Sequence, residues 1–451
     1  MDKVDYLKEE ISRLPTVHFY GRVTGVKGLL IECSGLEKVV SIGSRCNIIT
    51  RQDRFVVAEV VGFSDTSVLL MPFSGVEGIG MGCKVWLVDD ESAIYPSSAW
   101  KGRVIDAMAL PIDQKGNLPR GKKRYLFKSS PPPSHLRERV EEKIDLGVRS
   151  INTFTTCCKG QRMGIFAGSG VGKSMLISML TKYSQSSVKV IGLIGERGRE
   201  VQEFLQDYLG EEGLKQAVVV VATGDESALM RRQAAYTTMA VAEYFRDQGE
   251  DVLCMMDSVT RFAMAQREIG LSAGEPPTTK GYTPTVFAEL PKLLERAGPG
   301  MGKGSITGIF SVLVEGDDHN EPISDAVRGI LDGHIVLDRS IAQRGRFPAV
   351  NILKSISRTM PACNDQQQNE LVNRARSLLS TYSDMQELIR IGAYQVGSDA
   401  AVDEAVGYHD ALEEFLKQAP DEHTTLQEGY ERLAAILSPE ARFQDNVVAG
   451  A

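Results

Sequence analysis

The stretch Ala167-Gly168-Ser169-Gly170-Val171-Gly172-Lys173-Ser174 follows the apolar run Met163-Gly164-Ile165-Phe166 and opens into Met175-Leu176-Ile177-Ser178-Met179-Leu180. Strand, glycine-rich loop and helix in that order are the setting of a phosphate-binding P-loop. Gly168, Gly170 and Gly172 let successive backbone N–H groups turn toward one anion, and the positive end of the following helix points at the same place. In that frame Lys173 reaches the β- and γ-phosphates and the Ser174 hydroxyl is a ligand of Mg²⁺. Alanine stands at 167 where the strict spacing has glycine, and its small side chain is compatible with the turn. A glycine-rich turn without a ligand is the plain alternative; the Gly-Lys-Ser triplet and both flanks argue against it.

Length and composition bound the rest. At 451 residues the chain is long for one domain, and two or three are expected. Its 24% charged and 42% hydrophobic residues are ordinary for a soluble globular protein. The net charge of −8 argues against a generic nucleic-acid binder. No apolar run approaches the roughly 18 residues of a membrane span, and the first residues lack an apolar signal core, so a cytoplasmic protein is expected. The seven cysteines are scattered and show no Cys-x-x-Cys spacing. The adjacent pair Cys157-Cys158 suits neither a relaxed disulfide nor zinc, which reads as structural thiols in a reducing compartment.

Along the chain, Val4, Leu7, Ile11 and Leu14 recur at helical spacing under Lys3, Lys8, Glu9, Glu10 and Arg13, and Pro15 closes the segment. This pattern predicts an amphipathic helix within residues 1–18, its apolar face covered by the protein itself, by a partner or by a membrane surface. From 19 to 93, short β-type runs such as Leu29–Cys33, Phe55–Val61 and Ser67–Met71 alternate with glycines and read as a small β-barrel. Ser129-Ser130-Pro131-Pro132-Pro133-Ser134 reads as an exposed extended linker into the next unit. Within 94–349, the apolar runs Val188–Ile194, Ala217–Ala222, Val252–Met256 and Ile306–Val314 alternate with helical stretches, the pattern of a parallel sheet wrapped by helices. Within 350–451 the β signal fades, and 364–390, 399–418 and 424–437 carry helical periodicity. The expected fold class is therefore α/β: a P-loop core with a parallel sheet, preceded by a small β-barrel and followed by a helical domain.

Three constellations turn a nucleotide site into a hydrolytic one. The run Val252-Leu253-Cys254-Met255-Met256-Asp257 is a strand ending in a carboxylate, which after a P-loop is expected beside Mg²⁺. Gly195-Glu196-Arg197 follows another strand, and Glu196 at its C-terminal end is placed to orient the attacking water. In Ser355-Ile356-Ser357-Arg358, Arg358 is a candidate arginine finger. The plain alternatives are a solvated loop charge for Glu196 and a surface charge for Arg358.

Motifs in this order and spacing resemble those of the catalytic subunits of rotary ATP synthases, and more closely those of the flagellar ATPases of type III protein export, a RecA-like fold, over nearly the whole chain. The resemblance implies a general-base-like role for Glu196, phosphate contacts for Arg197 and Arg261, and adenine packing for Phe347 in Arg346-Phe347-Pro348-Ala349, with Tyr394 a further candidate. Gly270–Tyr282, Val314–Ile323 and Ile330–Ile335 resemble the export branch, and Ser355–Arg358 leans to its flagellar side. Membership of that branch would make the chain a Mg²⁺-dependent ATPase acting as a homohexameric ring, with Arg358 completing a neighbour's site. The resemblance also implies a stator-like regulator on the N-terminal helix, a coiled-coil stalk in the pore, and export chaperone–substrate complexes at a membrane export gate. The expected location is the cytoplasmic face of the inner membrane, with no nucleic acid among the partners. The alternatives are an injectisome ATPase, an RNA translocase of the transcription-termination type and a regulatory subunit that binds nucleotide without turnover.

Overall fold

A computed structural model describes residues 18–438 except 65, 90, 91, 303, 315, 317, 319 and 320. The expected N-terminal helix lies outside the described residues, as do Glu315, Asp317, His319 and Asn320 of the 314–323 stretch.

Six short antiparallel strands close into a barrel: β1 (Tyr20–Lys27), β2 (Leu30–Ser34), β3 (Arg45–Ile49), β4 (Phe55–Ser64), β5 (Ser67–Pro72) and β6 (Lys84–Asp89), in the order β1-β2-β5-β4-β3-β6. The period-two alternation of β2 and β3 sends Ile31, Cys33, Cys46 and Ile48 to the interior, where all four are fully buried. The barrel docks on the core through Met71 and Phe73, which pack on Leu229 and Ile269. Beside them a buried ion pair joins Glu59 of β4 to Arg232 at 2.7 Å.

The core is a nine-stranded sheet. Its spine is β8 (Arg103–Asp106), β10 (Arg162–Ala167), β11 (Val188–Glu196), β12 (Ala217–Thr223), β13 (Asp251–Asp257), β15 (Ser305–Leu313), β16 (Gly333–Leu337) and β17 (Ile356–Ser357), in the order β17-β16-β10-β15-β13-β11-β12-β8. Only β17 and the short β14 (Gly298–Pro299) pair antiparallel; every other neighbour is parallel. Strands such as β12, Ala-Val-Val-Val-Val-Ala-Thr, are buried along nearly their whole length because helices cover both faces. A separate two-stranded ribbon, β7 (Ala93–Ile94) with β9 (Tyr125–Leu126), contributes Ile94 and Tyr125 to the hydrophobic core.

The proline-rich stretch Ser129–Ser134 is irregular chain, as expected, but it does not lead into the core. The edge strand β8 precedes it, so it is a loop within the unit. At four residues β8 is too short to carry a periodic signal, which is why the start of the sheet was not visible in the chain.

The C-terminal helices Gln366–Arg390, Ala400–Leu416 and Leu426–Ile436 match the expected periodicity closely. Capping boxes start the first and last of them, Asp365 with Gln368 and Thr425 with Glu428. The buried Arg149 guanidinium ties them to the core, donating to the Phe415 carbonyl and to Glu422, each at 2.6 Å.

Candidate functional site

Open parallel sheets offer their ligand crevice beyond the C-terminal strand ends. Here β10, β11, β13 and β15 end together under a cavity of about 730 Å³. The P-loop forms one wall. Gly170 and Gly172 have φ of 77° and 90°, the left-handed region that glycine enters without a Cβ penalty. Gly172 is the N-cap of the helix Lys173–Tyr183 and supplies no side chain to it. The first N–H groups of that helix are therefore left for an anion.

Lys173 runs inward from the first helical turn with 11% of its side chain exposed. Its Nζ pairs with Asp257 Oδ1 and lies 3.6 Å from Glu196 Oε1. Burial by itself would lower the Lys173 ammonium, but the two carboxylates outweigh it and the net shift is upward. Asp257, at the end of β13, also accepts from Ser311 Oγ of β15 at 2.5 Å. Strand and neighbour strand thus fix the carboxylate on the phosphate side.

Glu196 reaches the same point through a bulge. Pairing between β11 and β12 runs Ile194↔Ala222 and then Glu196↔Thr223, leaving Gly195 as the extra residue, at φ 70°. A Cβ at Gly195 would meet Arg261 Cβ at 2.9 Å, so the turn also needs glycine for close approach. The Glu196 carboxyl is pushed up to about 7. Burial is the main cause; Lys173 pulls it back, and Asp257 and Glu200 push it further up. Its Oε1 is buried without a hydrogen-bond partner. A carboxylate with an orphaned oxygen, titrating near neutrality in a cleft, is the equipment of a general base.

Arg197 and Arg261 both line the cavity. The Arg197 side chain is 87% exposed, 3.7 Å from Glu200, whereas the Arg261 stem packs on Gly195 with its Nε buried and unpartnered. The Phe347 ring, 45% exposed, stands against the P-loop, 3.3 Å from where a Cβ on Gly172 would sit. The structure does not bring Tyr394 to this cavity. Its hydroxyl donates to Asp403 Oδ1 at 2.8 Å and closes the loop between two C-terminal helices. That local hydrogen bond accounts for a half-buried aromatic in a turn.

Arg358 is exposed and far from its own P-loop. It comes just after β17, which pairs with Gly333 and His334 at the start of β16, whereas the other end of β16, Leu337, is level with Ala167. Four residues of strand separate these levels by roughly 13 Å. Arg339 and Glu200 also belong to the site, although no sequence motif marked them. Arg339 Nη2 donates to the Ser169 carbonyl at 3.4 Å. Its signal was readable, a basic residue just past a strand whose end is level with the P-loop.

The donor set suits Mg²⁺: the exposed Ser174 hydroxyl and the Asp257 carboxylate face the P-loop, hard oxygens too few to hold a cation without phosphate and water. Among the described residues no group of three or more His, Cys, Asp or Glu side chains could hold a metal by itself.

Residues 23–86 match the ATP synthase alpha/beta family beta-barrel domain, 147–357 its nucleotide-binding domain, and 364–435 the T3SS EscN ATPase C-terminal domain. The chain is 58% identical over 436 residues to the flagellum-specific ATP synthase of Caulobacter vibrioides, covering 95% of this chain and 98% of the relative. Among solved structures it is similar to the assembled ATPase EscN of the enteropathogenic E. coli type III secretion system, with a TM-score of 0.87 and 40% identity, covering 93% of this chain and all of that one. EscN in complex with its central stalk EscO gives a TM-score of 0.85 at the same identity and coverage.

Proposed function

The chain belongs to the ATP synthase alpha/beta family, in the branch of flagellum-specific and type III secretion ATPases, and on that basis we propose that it hydrolyses ATP to drive export of flagellar subunits. The observation that carries the hydrolytic half is Glu196, a largely buried carboxylate near neutral pKa that lines the P-loop cavity with its Oε1 3.6 Å from Lys173 Nζ. A purely regulatory nucleotide binder has no use for such a base. Identity of 58% to a flagellar relative, against 40% to EscN, supports the flagellar over the injectisome reading. Barrel, core and helical domain all matching this family displaces the RNA translocase.

The P-loop amides and Lys173 hold the phosphates. Ser174 and Asp257 would hold Mg²⁺, which would neutralise part of the negative charge on the phosphates. ATP binding draws Lys173 from Asp257 toward phosphate, and Glu196 then accepts a hydrogen bond from the attacking water and takes its proton as the P–O bond to the leaving ADP opens. Arg261 and Arg197 line the phosphate side, and Phe347 offers its ring face to the adenine.

Because Arg358 is remote from its own P-loop, it serves the pocket of a neighbour in a ring of six identical subunits. Assembled EscN and its complex with a central stalk support that ring and a stalk partner for this chain. The N-terminal segment takes a stator-like regulator, and the ring receives chaperone–substrate complexes at the cytoplasmic face of the export gate.

Mixing Lys173→Ala with Arg358→Ala subunits tests this arrangement. Each alone should be inactive, yet a mixed ring has interfaces where an intact P-loop meets an intact arginine, so ATPase activity should reappear on mixing. Mixtures as inactive as the pure variants would exclude a finger supplied in trans.

A further inference from the structure

The ring assigned to adenine sits at a joint between two domains. Phe347 lies in the loop between β16 and β17, and its carbonyl accepts at 2.9 Å from the N–H of Gln418, in the turn that follows the helix Ala400–Leu416. Gln418 is 3% exposed. Its Oε1 accepts from the Arg149 N–H at 2.7 Å, and its Nε2 donates to the Gly147 and Glu422 carbonyls at 2.9 and 2.8 Å. An N–H facing one end of the amide and two carbonyls facing the other admit a single orientation of the side chain. Arg149, also buried, holds the rest of the turn: its guanidinium donates to the Phe415 and Lys417 carbonyls and to the Glu422 and Thr424 side chains. Asn152 Nδ2 adds a bond to the Thr424 carbonyl at 3.2 Å. A buried network satisfied in this way is rigid, because each bond given up leaves a polar group unpaired away from water.

The same anchor leads to the phosphates. Residues 147–152 run into the short helix Arg149–Phe154 and from there into β10, whose end opens into the P-loop. The P-loop and Phe347 are thus registered to one buried stretch of chain by two routes, the P-loop along β10 and Phe347 through Gln418. The ring, a hydrocarbon 45% exposed against Gly172, has no polar group to fix its own place and follows its backbone. We propose that Gln418 is a positioning residue for ATP: it holds the Phe347 carbonyl to the Gly147–Arg149 anchor and so sets the span between the base-stacking ring and the phosphate loop. The inference rests on the reading of Phe347 as the adenine platform. Lys173, Asp257 and Glu196 are carried by the P-loop helix, β13 and β11, so a loosened Gln418 weakens binding of the base end of the nucleotide and spares the rate at saturation.

The test is a double-mutant cycle in steady-state kinetics on the full-length protein, at concentrations where activity per chain no longer rises. Gln418→Met keeps the volume and removes the side-chain hydrogen bonds. KM for Mg-ATP should rise roughly tenfold with kcat within about twofold of the parent, the mark of lost binding rather than lost chemistry. Phe347→Ala should raise KM as well, and Gln418→Met added to it should raise KM no further, since the one residue acts through the other. Rises that multiply in the double variant, an unchanged KM in Gln418→Met, or a fall in kcat as large as the rise in KM would overturn the positioning role while leaving the adenine platform standing. Phe347→Ala with the parent's KM would remove the platform itself, and the proposal with it. Thermal melts establish that each variant is folded. Should Gln418→Met unfold, Glu422→Gln loosens the same turn from its half-buried side and should raise KM roughly two- to threefold, again with no further rise in Phe347→Ala, and an unchanged KM would overturn the role.

Discussion

The two edges of the core sheet are built to opposite electrostatic rules. At the C-terminal edge Lys173, Asp257 and Glu196 are crowded into a mostly buried cluster, with side-chain exposures of 11, 9 and 14%. At the opposite edge Arg358 stands in solvent, its guanidinium reaching the Arg328 carbonyl at 3.4 Å. Buried charges change their protonation and interact strongly; an exposed one keeps its charge and waits for a partner. One chain thus carries a desolvated phosphate pocket and, on the far side of the sheet, a solvated cation, and the proposed ring is what would bring the two together.

Lys173→Ala attacks the buried edge and carries the largest expected effect. Turnover should fall below detection, because the phosphates lose their main cation. The variant also leaves Asp257 and Glu196 facing each other without compensation. Thermal stability without nucleotide should therefore fall, on the order of a few kcal/mol for a broken buried pair. Hydrolysis within about tenfold of the parent would show that the cluster is not the phosphate site.

Arg358→Ala attacks the exposed edge and should spare the single chain. Nucleotide affinity at low protein concentration stays near that of the parent, while the gain on assembly, of order 10³-fold for such fingers, disappears. Specific activity plotted against protein concentration distinguishes the two. A variant curve rising in parallel with the parent would remove Arg358 and turn attention to Arg344 and Arg346.

Glu196→Gln keeps the shape of the buried edge and removes its base. Binding of Mg-ATP should hold while hydrolysis falls about 10²-fold or more. A comparable loss of binding would make Glu196 a structural element of the pocket.

The smallest effect is on pH dependence, and it isolates the buried edge. Burial raises the Glu196 carboxyl from its ordinary 4.5 to about 7, so the folded state holds that proton more tightly than the unfolded chain. Its contribution to stability is present below about 4.5 and is lost as pH rises through 7. Nucleotide-free Glu196→Gln should therefore lose less stability than the parent across that window in thermal melts. Identical slopes would show that Glu196 titrates as in the unfolded chain.

Much of this was legible in the chain for reasons of local geometry. The P-loop was readable because backbone N–H groups can converge on phosphate only where glycine permits left-handed turns, as at Gly170 and Gly172. Asp257 was readable because an apolar strand ending in a carboxylate delivers it to the sheet edge. The C-terminal helices were readable from their period, and the caps at Asp365 and Thr425 mark two of their starts. Tyr394 was not, since an aromatic in a turn looks the same whether it faces a nucleotide or bonds Asp403. Nor was β8, too short to carry a period.

By itself the sequence determined which backbone conformations and element types form and in what order, because those depend on neighbours within a few residues. Only the tertiary structure decided that Glu196 titrates near neutrality and that Arg358 lies across the sheet from the pocket in its own chain. Desolvation, separation and contact are sums over residues remote along the chain, and they acquire values only when packing brings those residues together.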